Sequence, residues 1–277
     1  MRRRTMWGGG ELDLDAYLER IGFSGDPKPD LDTLRAVHRG HVAAFPFENL
    51  EIVLGRPIVL DVAGLQEKMV GGARGGYCYE QNLLFAAALE RIGFGFTGLG
   101  ARIRMGSDRV RAVTHMLLRI EADGRQWLTD VGFGGEGLLE PVLFEDGVVD
   151  RQGEWTFGVA AEDDGVRVLR SLHHDGWFDL YSFTLEERFP ADYVVMNHYT
   201  ATHPHSPFVG RPVVQRTGPE VRHNLVGTLL SVAGPDGTVE ERPVRAGELG
   251  TVLADVFGVR LPAEDIAELE RRYFGRT

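Results

Sequence analysis

The sequence predicts an α+β protein: a helical first third, an antiparallel β middle third and a mixed final third. Two observations carry this. Up to Gly93, apolar residues recur at helical spacing, with proline and glycine breaks between segments. After Gly93 the pattern changes to period two, and short glycine or aspartate turns separate the runs. That is the pattern of hairpins closing into a barrel or curled sheet.

Each element follows in order. Residues 12–21 set Leu14, Tyr17, Leu18 and Ile21 along one helix face, and Gly22 closes it. Asp32 is placed to cap a second helix over residues 33–43, with Leu34, Val37, His38 and Val42 on one side. Phe45-Pro46-Phe47-Glu48-Asn49-Leu50 ends that helix with a proline and two aromatics. Glu48 sits in an apolar neighbourhood, and a carboxylate buried there needs a cation. A third helix over residues 62–70 leads through Gly71-Gly72-Ala73 to Arg74-Gly75-Gly76-Tyr77-Cys78-Tyr79-Glu80-Gln81-Asn82. The run from Leu83 to Leu89 continues as a buried helix, which Gly93 ends in a left-handed cap. Strands are expected within residues 94–105, over 114–120 and 126–133, around 142–144, and over 156–159, 166–169 and 177–183. Beyond Pro190 come a short helix over 192–200, strands at 215–217 and within 224–233, and amphipathic helices over 248–256 and 264–273.

At 277 residues, the chain suits one large domain or two to three small ones. Its single cysteine excludes an intramolecular disulfide. With no signal-peptide pattern, this points to a reducing, cytoplasmic home. The basic start and the glycine-rich stretch to Gly10 read as a disordered extension or a start-site artefact. No apolar run approaches the roughly 18 residues of a membrane span. A net charge of −11 argues against a nucleic-acid surface, though amides and one arginine can still hold a small anion.

The chemistry centres on Cys78, which enters a helix through a glycine-rich turn. Unpaired N–H groups and the positive end of the helix dipole favour a thiolate there. Such sites bring a cysteine from about 8.5 to between ~3.5 and ~7.5. Farther on, Asp123-Gly124 is a strong two-residue hairpin signal. With those two residues at its tip, Leu117 faces Asp130 and His115 faces Gly132. His115 and Asp130 then share a face as diagonal neighbours, about 7–8 Å apart at the backbone. An aspartate oxygen can reach an imidazole nitrogen across that gap. Cysteine, histidine and aspartate make a nucleophile, a general base and an orienting carboxylate.

Two patterns mislead. Gly132-Phe133-Gly134-Gly135-Glu136-Gly137 matches G-x-G-x-x-G, but Pro141 stops the helix that a dinucleotide site requires. A glycine loop here serves close backbone approach instead. His173, His174, His198, His203 and His205 share no ligand spacing, so no metal is expected and they take surface or packing roles.

The cysteine motif resembles that of the arylamine N-acetyltransferases. So do Pro46-Phe47-Glu48-Asn49-Leu50, Thr114-His115, Asp130-Val131-Gly132-Phe133-Gly134-Gly135, and Thr202-His203-Pro204 with Phe208. These stand in the family's order across nearly the whole chain. The resemblance implies a helical domain (1–93), a β-barrel domain (94–200) and an α/β lid (201–277) around a cysteine-protease-like catalytic core. It implies acetyl transfer from acetyl-CoA to an aromatic amine or hydrazine through acetyl-Cys78, with no metal and no prosthetic group. By position it places the base at His115 and the aspartate at Asp130, and pairs Arg74 with Glu48. It sets Thr114, Phe133, Gly134 and Phe208 against the donor or in the acceptor cleft. Gln81 replaces the family's usual histidine, with little expected effect on catalysis. Arg102-Ile103-Arg104-Met105 lacks an aromatic found in some bacterial relatives. The same triad suits a second reading, a macrolactam-forming amide synthase of a natural-product pathway. A catalytically silent binding protein is a third, and the intact triad argues against it.

Overall fold

The computed structural model describes residues 6–274. Helix α1 (Leu14–Arg20) and helix α2 (Leu31–Ala44) open the chain. Asp30, not Asp32, caps α2: its side chain accepts the Thr33 N–H at 2.9 Å, and Asp32 lies in the first turn. Strand β1 (Phe47–Glu48), helix α3 (Leu50–Val53) and helix α4 (Val62–Leu65) follow. The segment expected as one helix over 62–70 changes at Gln66 to a wider π-type turn that runs to Gly71. Helix α5 (Cys78–Ile92) begins on the cysteine and ends at Gly93, whose φ of 107° is the expected left-handed cap. Nearly every α5 side chain is buried, which explains the unbroken apolar run.

Eight antiparallel strands form a nearly closed, barrel-like sheet in the order β5-β4-β3-β2-β9-β8-β7-β6. They are β2 (Gly95–Ile103), β3 (His115–Ala122), β4 (Arg125–Thr129), β5 (Val142–Leu143), β6 (Val148–Gln152), β7 (Trp155–Ala161), β8 (Arg167–His173) and β9 (Gly176–Arg188). β3 carries two cores on its two faces. Met116, Leu118 and Ile120 join the helical cluster, while Leu117 joins Leu99, Phe157 and Tyr181 inside the barrel.

Helix α6 (Pro190–Thr202) leads to a five-stranded sheet ordered β1-β10-β11-β12-β13. Its later strands are β10 (Val213–Thr217), β11 (Arg222–Val226), β12 (Leu229–Ala233) and β13 (Val239–Pro243). The stretch 224–233 is thus two strands, turned at Gly227 with φ 63°. Strands β1, β6 and β13 carried no sequence signal; β1 has two residues, and β13 is exposed throughout, with no apolar alternation. Helix α7 (Leu249–Phe257) and helix α8 (Ala263–Leu269) pack on this sheet through Leu253, Phe257 and Leu269. Among the described residues, no helix is long and apolar enough to cross a membrane.

Of the segment read as a disordered extension, residues 1–5 lie outside the described residues. The rest is packed. Trp7 lies against Phe96 and Tyr193, with ring centroids 5.3 and 6.2 Å away. Glu90 accepts the backbone N–H groups of Met6, Trp7 and Gly9.

Candidate active site

The β3–β4 hairpin supplies one half of the site. Ala122 pairs with Arg125 and Leu118 with Thr129, the register read from Asp123-Gly124. Both turn residues have positive φ, 51° and 72°, as the tight turn demands. His115 Nε2 stands 2.6 Å from Asp130 Oδ2, and both residues are buried. Asn82 of α5 donates to Asp130 Oδ1 at 3.1 Å, and the Gly132 N–H donates to the same oxygen at 3.0 Å. Burial opposes ionisation of Asp130, but the His115 charge and hydrogen bond, with those from Asn82 and Gly132, hold its carboxyl below the usual range. Tyr181 lies behind the pair, its ring 5.0 Å from the imidazole. Among the described residues, its hydroxyl has no partner of regular hydrogen-bond geometry. Burial, then the Asp130 charge and a hydrogen bond to Asp130 outside regular geometry, keep that phenol protonated.

The helical side supplies the candidate nucleophile. Cys78 is the first residue of α5 and only 3% exposed. A Cβ at Gly132 would stand 2.8 Å from the Cys78 Cα, so only glycine lets the hairpin strand lie against the helix start. The G-x-G-x-x-G pattern therefore marks close backbone approach, not a nucleotide. Burial raises the Cys78 thiol, and so do the charges of Asp130 and Glu80; N–H groups of Met116 and Tyr79 work the other way. Taken alone, the thiol thus moves opposite to the sequence expectation, because lost hydration outweighs the helix terminus. A thiolate forms here only if its proton passes to a partner.

A buried charge network fixes the turn before Cys78. Arg74 contacts Glu48 through Nε at 2.9 Å and Nη2 at 2.8 Å, the pair that the resemblance implies. Arg74 Nη1 also reaches Glu51 at 2.8 Å. Lys68, on the π-type turn, stands 3.4 Å from Glu48 and 2.7 Å from Glu80. Burial opposes the Glu48 charge, but Lys68 and Arg74 outweigh it and hold the carboxyl low. Glu80 moves the other way, raised by burial, while its Oε2 accepts the Tyr77 N–H at 3.0 Å. Lys68, Glu51 and Glu80 were missed by sequence reasoning; only Glu80 carried a signal, as the third residue of the helix that Tyr77 caps.

Gln81 has a structural task. Its amide donates to the Phe45, Pro46 and Gly76 carbonyls, and its Oε1 meets His41 Nε2 at 2.8 Å. His41 Nδ1 in turn meets the Tyr17 hydroxyl at 2.8 Å.

A cavity of about 930 Å³ opens onto these residues. Cys78, His115, Thr114, Phe133 and Phe208 line it, with Phe47, Gln215, Asn224 and Arg222. Gly134 does not; with φ 90° it packs on Gln215 and lines a narrow crevice beside Phe47. Of the five histidines set aside, His205 lines the cavity, His173 contacts Glu136 and His203 stacks on Tyr199.

An N-acetyltransferase family model matches residues 30–266. The chain belongs to the arylamine N-acetyltransferase family. It is 37% identical to the arylamine N-acetyltransferase of Mycolicibacterium smegmatis over 257 residues, 90% of this chain and 93% of the relative. The crystal structure of the Nocardia farcinica arylamine N-acetyltransferase is 45% identical, with a TM-score of 0.91 over 96% of this chain and 95% of that one. The Mycobacterium marinum enzyme, solved in complex with CoA, is 30% identical with a TM-score of 0.87, over 95% of this chain and all of its own. Membership in the arylamine N-acetyltransferase family makes this protein an acyltransferase enzyme.

Proposed function

We propose that the protein moves an acetyl group from acetyl-CoA to an arylamine or arylhydrazine through acetyl-Cys78. The observation that carries this is the His115–Asp130 contact of 2.6 Å, behind a cavity that His115 and Cys78 both line. Asp130 occupies Nε2 of the imidazole, which leaves Nδ1 to serve as base. Nδ1 takes the Cys78 proton, and Asp130 offsets the charge that forms. The thiolate attacks the thioester carbonyl, the bond to the CoA sulfur breaks, and His115 returns its proton to that sulfur. In the second half, the amine nitrogen attacks acetyl-Cys78, His115 takes the N–H proton, and the Cys78 sulfur leaves and recovers it. Phe133 and Phe208 offer ring faces to an aromatic acceptor. An arylamine also remains unprotonated and nucleophilic at neutral pH. Residues 201–274 act as a lid over the cleft, and Thr114 and Phe208 flank the donor's pantetheine arm.

Incubation with acetyl-CoA alone tests this. CoA should be released, and the peptide containing Cys78 should gain the mass of one acetyl group. Aniline should then discharge it, and initial rates with both substrates varied should give parallel double-reciprocal lines. Intersecting lines with no adduct would remove the covalent step. An adduct from a longer acyl thioester, but none from acetyl-CoA, would favour the amide synthase reading.

A further inference from the structure

Asn82 is fully buried in α5, at the head of the apolar run from Leu83 to Leu89. Asparagine is a poor helix former, because its amide competes with the backbone for hydrogen bonds. A buried amide also costs free energy unless its groups are paired. Here they are paired, and across three separate segments. Nδ2 lies 3.2 Å from the Cys78 carbonyl one turn back, 2.8 Å from the Met116 carbonyl on β3 and 3.1 Å from Asp130 Oδ1. The Asn82 Oδ1 accepts the Val131 N–H at 3.3 Å. Three acceptors around the nitrogen and one donor at the oxygen fix the orientation of the amide. The backbone makes room for it. A Cβ at Gly132 would stand 2.8 Å from Nδ2, so that glycine admits the amide as well as the start of α5.

The two oxygens of Asp130 have different partners. Asn82 and the Gly132 N–H hold Oδ1, and His115 Nε2 meets Oδ2 at 2.6 Å. Two donors on one oxygen set the plane of the carboxylate, and with it the plane of the imidazole bonded to the other oxygen. Other titratable groups face Asp130 without setting that plane. Tyr181 on β9 reaches it only outside regular hydrogen-bond geometry. His38 on α2 feels its charge, but spends Nδ1 on the Leu139 carbonyl at 3.1 Å. Cys78 on α5 feels it too, as a thiol whose ionisation that charge opposes.

We propose that Asn82 is a positioning residue of the reaction: it locks Asp130 to the helix that begins at Cys78, so that nucleophile and base keep one fixed geometry. This rests on the acetyl-transfer reading above. A single amide spans the boundary between the two halves of the site. Its bonds to the Cys78 carbonyl and to Asp130 share one nitrogen. Asp130, and through it His115, therefore cannot shift against Cys78 without breaking one of them. The same bond helps to keep the carboxylate ionised against its burial, so its loss also leaves that charge less well held.

The test is a double-mutant cycle read as the rate of Cys78 acetylation by acetyl-CoA. Asn82→Leu, close to the amide in size, should load about 10- to 100-fold more slowly, the range for a hydrogen bond to a charged group. In an Asp130→Asn background the same change should cost no more than about twofold, because the group that Asn82 holds is already gone. A residue that only fills the core would slow both backgrounds alike. A second readout is alkylation of Cys78 by iodoacetamide against pH. The Asn82→Leu rate should rise through about pH 7 to 8, as in Asp130→Asn, whereas lost packing alone would lower the rate without changing its slope. Asn82→Ser can keep the helical bond to the Cys78 carbonyl but is too short to reach Asp130. It should show both effects, and it carries the test if Asn82→Leu fails to fold. Equal costs in the two backgrounds, wild-type loading in a folded variant, or an unchanged pH slope overturn the proposal. A wild type that takes no acetyl group from acetyl-CoA overturns the acetyl-transfer reading and this proposal with it, and shows before any variant is made.

Discussion

Two regions meet at Cys78 and hold the site by different means. On the barrel side, one hairpin sets His115 against Asp130 at 2.6 Å, with Asn82, Gly132 and Tyr181 around them. On the helical side, four buried or half-buried charges, Glu48, Lys68, Arg74 and Glu80, clamp the turn that ends at Cys78. The first region changes protonation during the proposed reaction, so its geometry bears on rate. The second keeps its charges, so its energy goes into holding backbone. Changes on the barrel side should therefore appear in turnover, and changes on the helical side in stability.

The largest expected effect is kinetic. Asp130→Asn should leave the fold intact and lower transfer by about two to four orders of magnitude, as when a triad loses its orienting carboxylate. Circular dichroism and steady-state rates check it, and wild-type turnover in that variant would break the contrast. Next comes Glu48→Ala, which leaves Arg74 and Lys68 without their shared carboxylate. Chemical denaturation should show a loss of about 3–5 kcal/mol. A loss below about 1 kcal/mol would mean that the network gives no more than a surface pair.

The two regions also differ in how legible they were. The hairpin register followed from a two-residue turn signal, and the register alone brought His115 to Asp130. The helix start and its left-handed cap were equally local. The Glu48–Arg74 pair came from a buried carboxylate and from the family resemblance. Lys68 had no signal, because its side chain meets Glu48 and Glu80 only after the π-type turn carries it inward. Tyr181 reaches the His115–Asp130 pair through barrel closure, which no local pattern encodes. The part that burial plays at Cys78 was missed for a related reason: the helix terminus is local, but the burial that opposes it depends on the whole fold.

Gln81 sharpens the contrast further. It touches no reacting group, yet its amide ties Phe45, Pro46 and Gly76 together. Gln81→Ala leaves buried carbonyls and His41 unpaired, at a cost of about 1–3 kcal/mol. Thermal melts should show this with kcat changed less than severalfold. A large loss of kcat at unchanged stability would place Gln81 with the barrel side instead.

Acid should weaken the helical side by a smaller amount. Glu48 is held below the usual carboxylate range, so its contribution is present above about pH 4 and lost as pH falls through the lower folded value. Glu80, raised by burial, has the opposite slope, and its effect falls above about pH 4, where protonation adds stability as pH falls. Glu48→Gln should flatten the loss of stability below about pH 4, read as denaturation midpoints against pH. An acid slope as steep as wild type would remove Glu48 as its source.

The most direct test is whether the hairpin pair makes a nucleophile of a buried thiol. Alkylation of Cys78 by iodoacetamide, followed from about pH 6 to 9, reports the thiolate. If the proton rests on His115 beside Asp130, the wild-type rate should be nearly flat across about pH 7 to 8 and Asp130→Asn should rise through it. A wild-type rate climbing steeply through pH 8, unchanged by Asp130→Asn, would show a lone thiol raised by burial and contradict the ion pair.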